Sequence, residues 1–187
     1  MEWHEHPPDP ASDIPDDDEV IARVRENSDY FSVLYERYFQ RVYGYCLKRT
    51  SNVQIAEDLC SDIFIKVLSK LDTYTGGNFA AWLFRIAHNT VVDHYRKNRK
   101  VVAIDQLQLR SDTQMSNTVA NQLAVEELLS ELNEDERELI TLRLQAGLSA
   151  PEIAEIVGKS ANSVRVQIYR LLKRLRDRYG AMMGGDA

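Results

Sequence analysis

The stretch LSAPEIAEIVGKSANSVRVQIYRLLKRLRDR, residues 148–178, constrains the chain more than any other. Ser149 is placed as an N-cap, with Pro151 in the first turn and Glu152 three residues on, so a helix should start there. Ile153, Ala154 and Val157 supply its apolar face, and Gly158 can close it as a left-handed C-cap. Ser160 can then cap a second, longer helix. At about 100° per residue, Val164, Ile168, Leu171, Leu172 and Leu175 fall on one side of that helix. Asn162, Val166, Tyr169, Arg170 and Lys173 fall on the other, with Arg165 and Arg176 at the flank. Two capped helices, a glycine turn and a basic outward face form a helix-turn-helix layout. Cations interleaved with Val and Tyr suit a groove that offers phosphates, base edges and thymine methyls. The plainer alternative is a solvated basic face on an ordinary bundle, which leaves the glycine turn and paired caps without a joint reason.

The rest of the chain is helical in pattern as well. Phe31, Leu34, Tyr35, Tyr38, Phe39, Val42, Tyr45 and Cys46 recur at steps of three and four. A second helix is expected from Asn52 to Leu71, with Ile55, Leu59, Ile63, Val67 and Leu71 on one stripe. The glycine-bearing loop DTYTGGN, residues 72–78, should separate it from a third helix. The polar stretch 101–117 reads as a flexible linker, after which the helical signal resumes with Val119, Leu123, Leu128, Leu129 and Leu132. The fold class is therefore all-α: two small helical domains, a helical bundle over 20–100 and a helix-turn-helix unit over 118–180. Residues 1–19, rich in Pro and Asp, are expected to form an acidic disordered tail, and 181–187 a second tail.

The net charge of −6 seems to disfavour nucleic acid, yet it is unevenly spread. Residues 1–29 carry ten acidic and two basic groups, net −8; residues 30–100 carry eleven basic and six acidic, net +5. Residues 101–132 return to −4, and 133–180 have nine basic against seven acidic, net +2. Binding follows the local field rather than the total. One role open to the acidic tail is shielding the basic domain; a solubilising tail is the simpler one. No apolar run reaches the ~20 residues of a membrane span, and the N-terminus lacks the basic and apolar regions of a secretory signal. Cys46 and Cys60 stand singly within apolar patterns, as expected of buried reduced thiols in a cytoplasmic protein.

The helix WLFRIAHNTVVDHYRKNRK, residues 82–100, raises the question of a metal or acid/base site, since it holds His88, Asp93 and His94. On a helix the two histidines point about 120° apart and lie about 9 Å apart along the axis. They cannot share one ion, nor come within proton-transfer reach of each other. Leu83, Ile86, Ala87, Thr90, Val91 and His94 cluster on one face, with His94 expected to be partly buried. Arg85, His88, Asn89, Val92, Arg96, Arg99 and Lys100 occupy or border the other. No metal, cofactor or catalytic constellation is expected. A basic, Asn-bearing face preceded by Tyr74, Phe79, Trp82 and Phe84 suits single-stranded DNA, whose bases stack on rings and bond to amides. These aromatics could equally fill a helical core.

Taken in order, IAEDLCSDIFIKVL (55–68), FAAWLFRIAHNTVVDHYRKNRK (79–100) and LNEDERELITLRLQAGLSAPEIAEIVGKSANSVRVQIYRLLKRLR (132–176) resemble extracytoplasmic-function (ECF) sigma factors of bacterial RNA polymerase. The resemblance implies a non-catalytic specificity subunit that binds core polymerase, directs it to −35 and −10 elements and helps melt the latter. Glu57, Asp58, Leu59, Ser61 and Asp62 would meet the clamp coiled coil of the largest subunit, with Phe64 inward, and the flap would be a further contact. Tyr74, Arg85, His88, Asn89, Asp93, Arg96, Lys97, Arg99 and Lys100 would meet the −10 element, and the 72–79 loop would capture a flipped base. Asn162, Arg165, Val166, Tyr169, Arg170 and Lys173 would meet the −35 element, and linker 101–117 would follow the RNA exit path. Partners implied are core RNA polymerase, duplex and single-stranded promoter DNA, and an anti-sigma factor. The chain departs from the family pattern at Ser61-Asp62, usually Gln-Glu, and at Val166 and Gln167, often Ser and Arg. The competing readings are a helix-turn-helix regulator acting without core polymerase, and a helical adaptor without DNA contact.

Overall fold

The computed structural model describes residues 15–99 and 131–183, and all regular structure among them is helical. The expected linker, the resumption of helix after 118, Lys100 and the terminal stretches 1–14 and 184–187 lie outside the described residues. Helix α1 (Asp17–Glu26) starts inside the acidic run read from sequence as tail. Asp16 caps it by accepting from the Glu19 amide at 2.8 Å, and the first-turn acids Asp17, Asp18 and Glu19 lie where the helix dipole favours negative charge. Val20, Ile21 and Val24 are buried beneath. Asp17 is also a tertiary ligand: it pairs with Arg37 at 2.5 Å and accepts a hydrogen bond from the Tyr38 hydroxyl. The acidic composition that resembled disorder therefore belongs in part to a capped, anchored helix.

Helix α2 (Phe31–Thr50) ends on Ser51, and Asn52 caps α3 (Val53–Lys70) by accepting from the Ile55 amide at 3.0 Å. The expected α3 stripe is buried at Leu59, Ile63 and Val67, and Leu71 follows in a short 3₁₀ turn, Leu71–Thr73. Gly76 and Gly77 both take φ near +100°, a conformation that side chains with a Cβ rarely adopt, and turn the chain into α4 (Phe79–Arg99). Arg25 braces this loop from α1, donating to the carbonyls of Leu71 at 3.3 Å and Tyr74 at 2.6 Å.

In the C-terminal unit, α5 (Glu134–Leu144) opens with a capping box between Asn133 and Glu136. Helix α6 (Ala150–Val157) has Pro151 in its first turn, and the Glu152 carboxylate accepts from the Ser149 amide at 2.7 Å. Gly158 stops it at φ 67°, and Ser160 accepts from the Ser163 amide at 3.2 Å as α7 (Ala161–Met183) begins. The helix-turn-helix therefore rests on the caps read from sequence.

The two helical units do not stand apart. Leu139, Leu142, Ala146, Leu148 and Ile153 of the second unit lie in one continuous core with Tyr45, Leu83 and Phe84 of the first. A smaller cluster, Leu132, Ile140 and Leu171, ties α5 to α7.

Candidate nucleic-acid interface

Helix α7 separates its faces as the wheel requires. Val164, Ile168 and Leu171 are buried and Leu172 and Leu175 half-buried. Asn162, Arg165, Val166, Arg170, Lys173 and Arg176 are exposed, and Tyr169 is 68% exposed. Gln167 reaches back to the Ser163 hydroxyl at 2.7 Å and so stays on the flank. An aromatic ring left in water among cations gains nothing on folding and offers apolar area that a partner could bury. Further along, Arg174 and Arg178 pair with Glu136 at 2.9 Å and with Glu131, which leaves Arg165, Arg170 and Lys173 as cations of the outward face, with Arg176 at its flank.

Helix α4 divides in the same way. Leu83, Ala87, Thr90 and Val91 are buried, with Ile86 and His94 half-buried. Arg85, Asn89, Val92, Arg96 and Lys97 are exposed. Asp93 pairs with Arg96 one turn on at 3.1 Å, and so presents a partly neutralised group. The histidines diverge: His88 Nδ1 meets Glu138 at 3.0 Å, whereas the His94 ring lies against Tyr95, with centroids 5.8 Å apart. Arg99 belongs to the last turn of the helix backbone.

Two residues expected at interfaces lie inside. Tyr74 is 4% exposed, its ring edge-on to Phe79 and Trp82, its one hydroxyl proton shared between the Gly77 carbonyl at 2.7 Å and the Asp18 carboxylate at 3.0 Å. Burial, with the Asp18 hydrogen bond, pushes its phenol above the ordinary range. In this arrangement Tyr74 organises the 72–79 loop from beneath rather than offering a stacking surface. Leu59, too, is buried. What α3 presents outward is Glu57, Asp58, Ser61 and Asp62, continued by Ile65 (66% exposed) and Leu68. Phe64 is inward, with its ring centroid 4.7 Å from that of Tyr35.

Sequence reasoning missed a cluster around Glu138. Its carboxylate accepts from the Tyr45 hydroxyl at 2.7 Å, meets His88, and lies 2.7 Å from Arg49 Nε as a close charge pair not aligned as a hydrogen bond. The Arg49 and Glu138 side chains are only 8% and 7% exposed. Burial alone would raise the Glu138 carboxyl, but the His88 contact, the Arg49 charge and the Tyr45 hydroxyl outweigh it and hold the group below its usual value. A carboxylate directly preceding the apolar run LITLRL was the available signal, since such a group requires partners if it is buried. Which partners could not be read from one sequence.

The family model for sigma-70 region 2 matches residues 34–101, and that for sigma-70 region 4 matches residues 122–175. The ECF RNA polymerase sigma factor BldN of Streptomyces coelicolor is 30% identical over 84% of this chain and 63% of its own length. The RNA polymerase sigma factor YlaC of Bacillus subtilis is 30% identical over 81% of this chain and 92% of its own. The chain belongs to the ECF sigma factors. Its backbone agrees: the sigma factor RpoE of Bartonella quintana, solved with the anti-sigma factor NepR, superposes with a TM-score of 0.67 at 25% identity, over 84% of this chain and 98% of that one. In this sigma factor region 2 comprises α2–α4, with α1 packed against it as an acidic buttress, and region 4 is the α5–α7 unit. Among the described residues no helix is long and apolar enough to cross a membrane.

Proposed function

We propose that this sigma factor docks on the clamp coiled coil of core RNA polymerase through the outward face of α3, reads and melts the −10 element with α4, and reads the −35 element with α7. On this reading Glu57, Asp58, Ser61 and Asp62 provide the polar part of the docking face, and Ile65 and Leu68 its apolar part. Arg85, His88, Asn89 and Asp93 face bases or sugars of the melted strand, and Arg96, Lys97, Arg99 and Lys100 follow phosphates. Arg165, Val166, Tyr169 and Arg170 enter the duplex groove, flanked by Asn162 and Lys173. Val166 substitutes an apolar contact, suited to a thymine methyl, for the hydrogen bond of the more common Ser. The protein has no catalytic step of its own, works where core polymerase is, in the cytoplasm, and is open to control by an anti-sigma factor, as in the RpoE complex.

The observation that carries the reading is the outward face of α7, where Tyr169 stands exposed among Arg165, Arg170 and Lys173 while the opposite side is buried. A second supports it: α3 exposes Ile65 and Leu68 beside carboxylates, a surface that a protein partner would cover. The test is reconstitution with core RNA polymerase on fragmented genomic DNA, with permanganate detecting unpaired thymines. The expected result is opening that requires both protein and core. Tight duplex binding by the protein alone, with no association with core, would support the regulator alternative.

A further inference from the structure

The first turn of α1 reaches further into the fold than its acidic composition suggests. Asp17 and Asp18 are neighbours, and each accepts from a tyrosine hydroxyl: Asp17 from Tyr38 of α2, Asp18 from Tyr74 of the 72–79 loop at 3.0 Å. Both tyrosine rings then meet Phe79, the first residue of α4, edge-on, with centroids 5.4 Å and 5.5 Å away. Phe79 in turn stacks on Trp82 at 5.6 Å. Burial first, and the carboxylates second, hold both phenols above their ordinary range, so each keeps the proton it donates. Two turns along α1 and on the same face, Arg25 donates to the Leu71 carbonyl at 3.3 Å and the Tyr74 carbonyl at 2.6 Å. Helix α1 thus grips the loop twice, by a carboxylate near its start and a guanidinium near its end.

The loop needs such a grip. Among the described residues, no backbone–backbone hydrogen bond involves Thr75, Gly76 or Gly77. A Cβ on either glycine would meet nothing within 4 Å, so glycine serves the φ near +100° there and not a lack of room. Such a pair left to itself samples many conformations. The Tyr74 hydroxyl beside the Gly77 carbonyl, and Asn78, which accepts from the Ala81 amide at 3.1 Å, define the far side. Thr75, Gly76 and Gly77 form an exposed tip with no side chain larger than threonine, which leaves space for a single base. Helix α1 is itself held fast: Val20, Ile21 and Val24 are buried, and Asp17 pairs with Arg37 at 2.5 Å.

We infer that Asp18 and Arg25 are positioning residues for base capture: α1 is a splint that presets the 72–79 loop, and through it the grip on one unstacked base of the −10 strand. The inference rests on the assignment of that loop to the flipped base. It is tested in the full-length chain with Asp18→Ala/Arg25→Met, which cuts both ties, and with Asp18→Asn, which keeps an oxygen to accept from Tyr74. Amide hydrogen exchange of residues 72–78 reports the loop in each. Holoenzyme formed with core polymerase is then bound to a promoter that it opens, with the −10 strand left unpaired and a single abasic site placed at each position in turn.

In the wild type, an abasic site at one position should weaken binding about tenfold or more, the scale of one lost base contact. In the double variant the loop should exchange about tenfold faster. Its ratio of intact to abasic affinity should fall to within about threefold, with affinity for the abasic template unchanged. Asp18→Asn should keep the wild-type ratio. Unchanged loop exchange in the double variant would overturn the splint. Faster exchange with an unchanged ratio would overturn its part in base capture. Loss of the ratio in Asp18→Asn would overturn the hydrogen bond as the tie. A wild type indifferent to every abasic site would overturn the inference through the loop assignment, and the exchange data would show separately whether α1 braces the loop.

Discussion

Replacing Glu138 with Gln tests the contact between the two units most economically. The substitution preserves shape and an oxygen to accept from Tyr45, but removes the charge 2.7 Å from Arg49. Arg49 would then be a guanidinium whose side chain is 8% exposed and uncompensated. Removing one member of a buried pair costs about 3–5 kcal/mol. The lower end, about 3 kcal/mol, applies here because Arg49 retains a bond to the Glu134 carbonyl at 3.3 Å. At about 1.4 kcal/mol per tenfold, the packing of the two units against each other weakens by roughly a hundredfold. With a urea dependence of about 2 kcal/mol/M for a chain of this size, the midpoint followed by far-ultraviolet circular dichroism should fall by about 1.5 M. Adding Arg49→Met should recover most of that loss, because an apolar replacement of a buried pair is often neutral. A midpoint unchanged in Glu138→Gln, or lowered further in the double variant, would refute the reasoning.

Three further outcomes follow from the same geometry. Tyr169→Ala and Arg170→Ala, both at exposed positions, should shift stability by no more than about 0.5 kcal/mol while weakening binding to a duplex carrying the −35 element; gel-shift titration at fixed salt measures this. Asn89→Ala, also exposed, should leave core binding and folding intact but reduce promoter opening, seen as weaker permanganate reactivity in the −10 region. Burial pushes the Cys46 thiol up to about 12, with the neighbouring Cys60 adding to it, and the Cys60 thiol up to about 11. Because the thiolate is the reactive form, iodoacetamide at neutral pH should modify both slowly in the native protein and rapidly in denaturant; mass spectrometry distinguishes the two.

The local signals in the sequence carried far. Ser149, Pro151, Gly158 and Ser160 define their helices through backbone bonding within a few residues, which one sequence displays. The faces of α4 and α7 were legible because the 3.6-residue period assigns direction without tertiary information. Direction alone did not decide depth. Tyr74 lies in a loop, where no period says that its ring turns under Phe79 and Trp82. Leu59 was assigned both to a core stripe and to a docking motif, and its burial places it in the stripe. The start of α1 was obscured because Asp16–Glu19 serves equally as a disordered acidic run and as a cap followed by a first turn. Only the pairing of Asp17 with Arg37 and Tyr38 separates these readings. The Glu138 cluster joins residues 45, 49, 88 and 138, and such long-range electrostatic pairing leaves no spacing to read.

The central claim is that this chain gives RNA polymerase promoters it does not otherwise use. Its most direct test is sequencing of transcript 5′ ends made by core polymerase on fragmented genomic DNA, with and without the protein. The account predicts a set of protein-dependent start sites that share two upstream sequence blocks. Those starts should be lost with Asp58→Ala/Asp62→Ala at the docking face and reduced with Asn89→Ala. Identical transcripts with and without the protein, while it associates with core polymerase no more than an unrelated helical protein does, would contradict it.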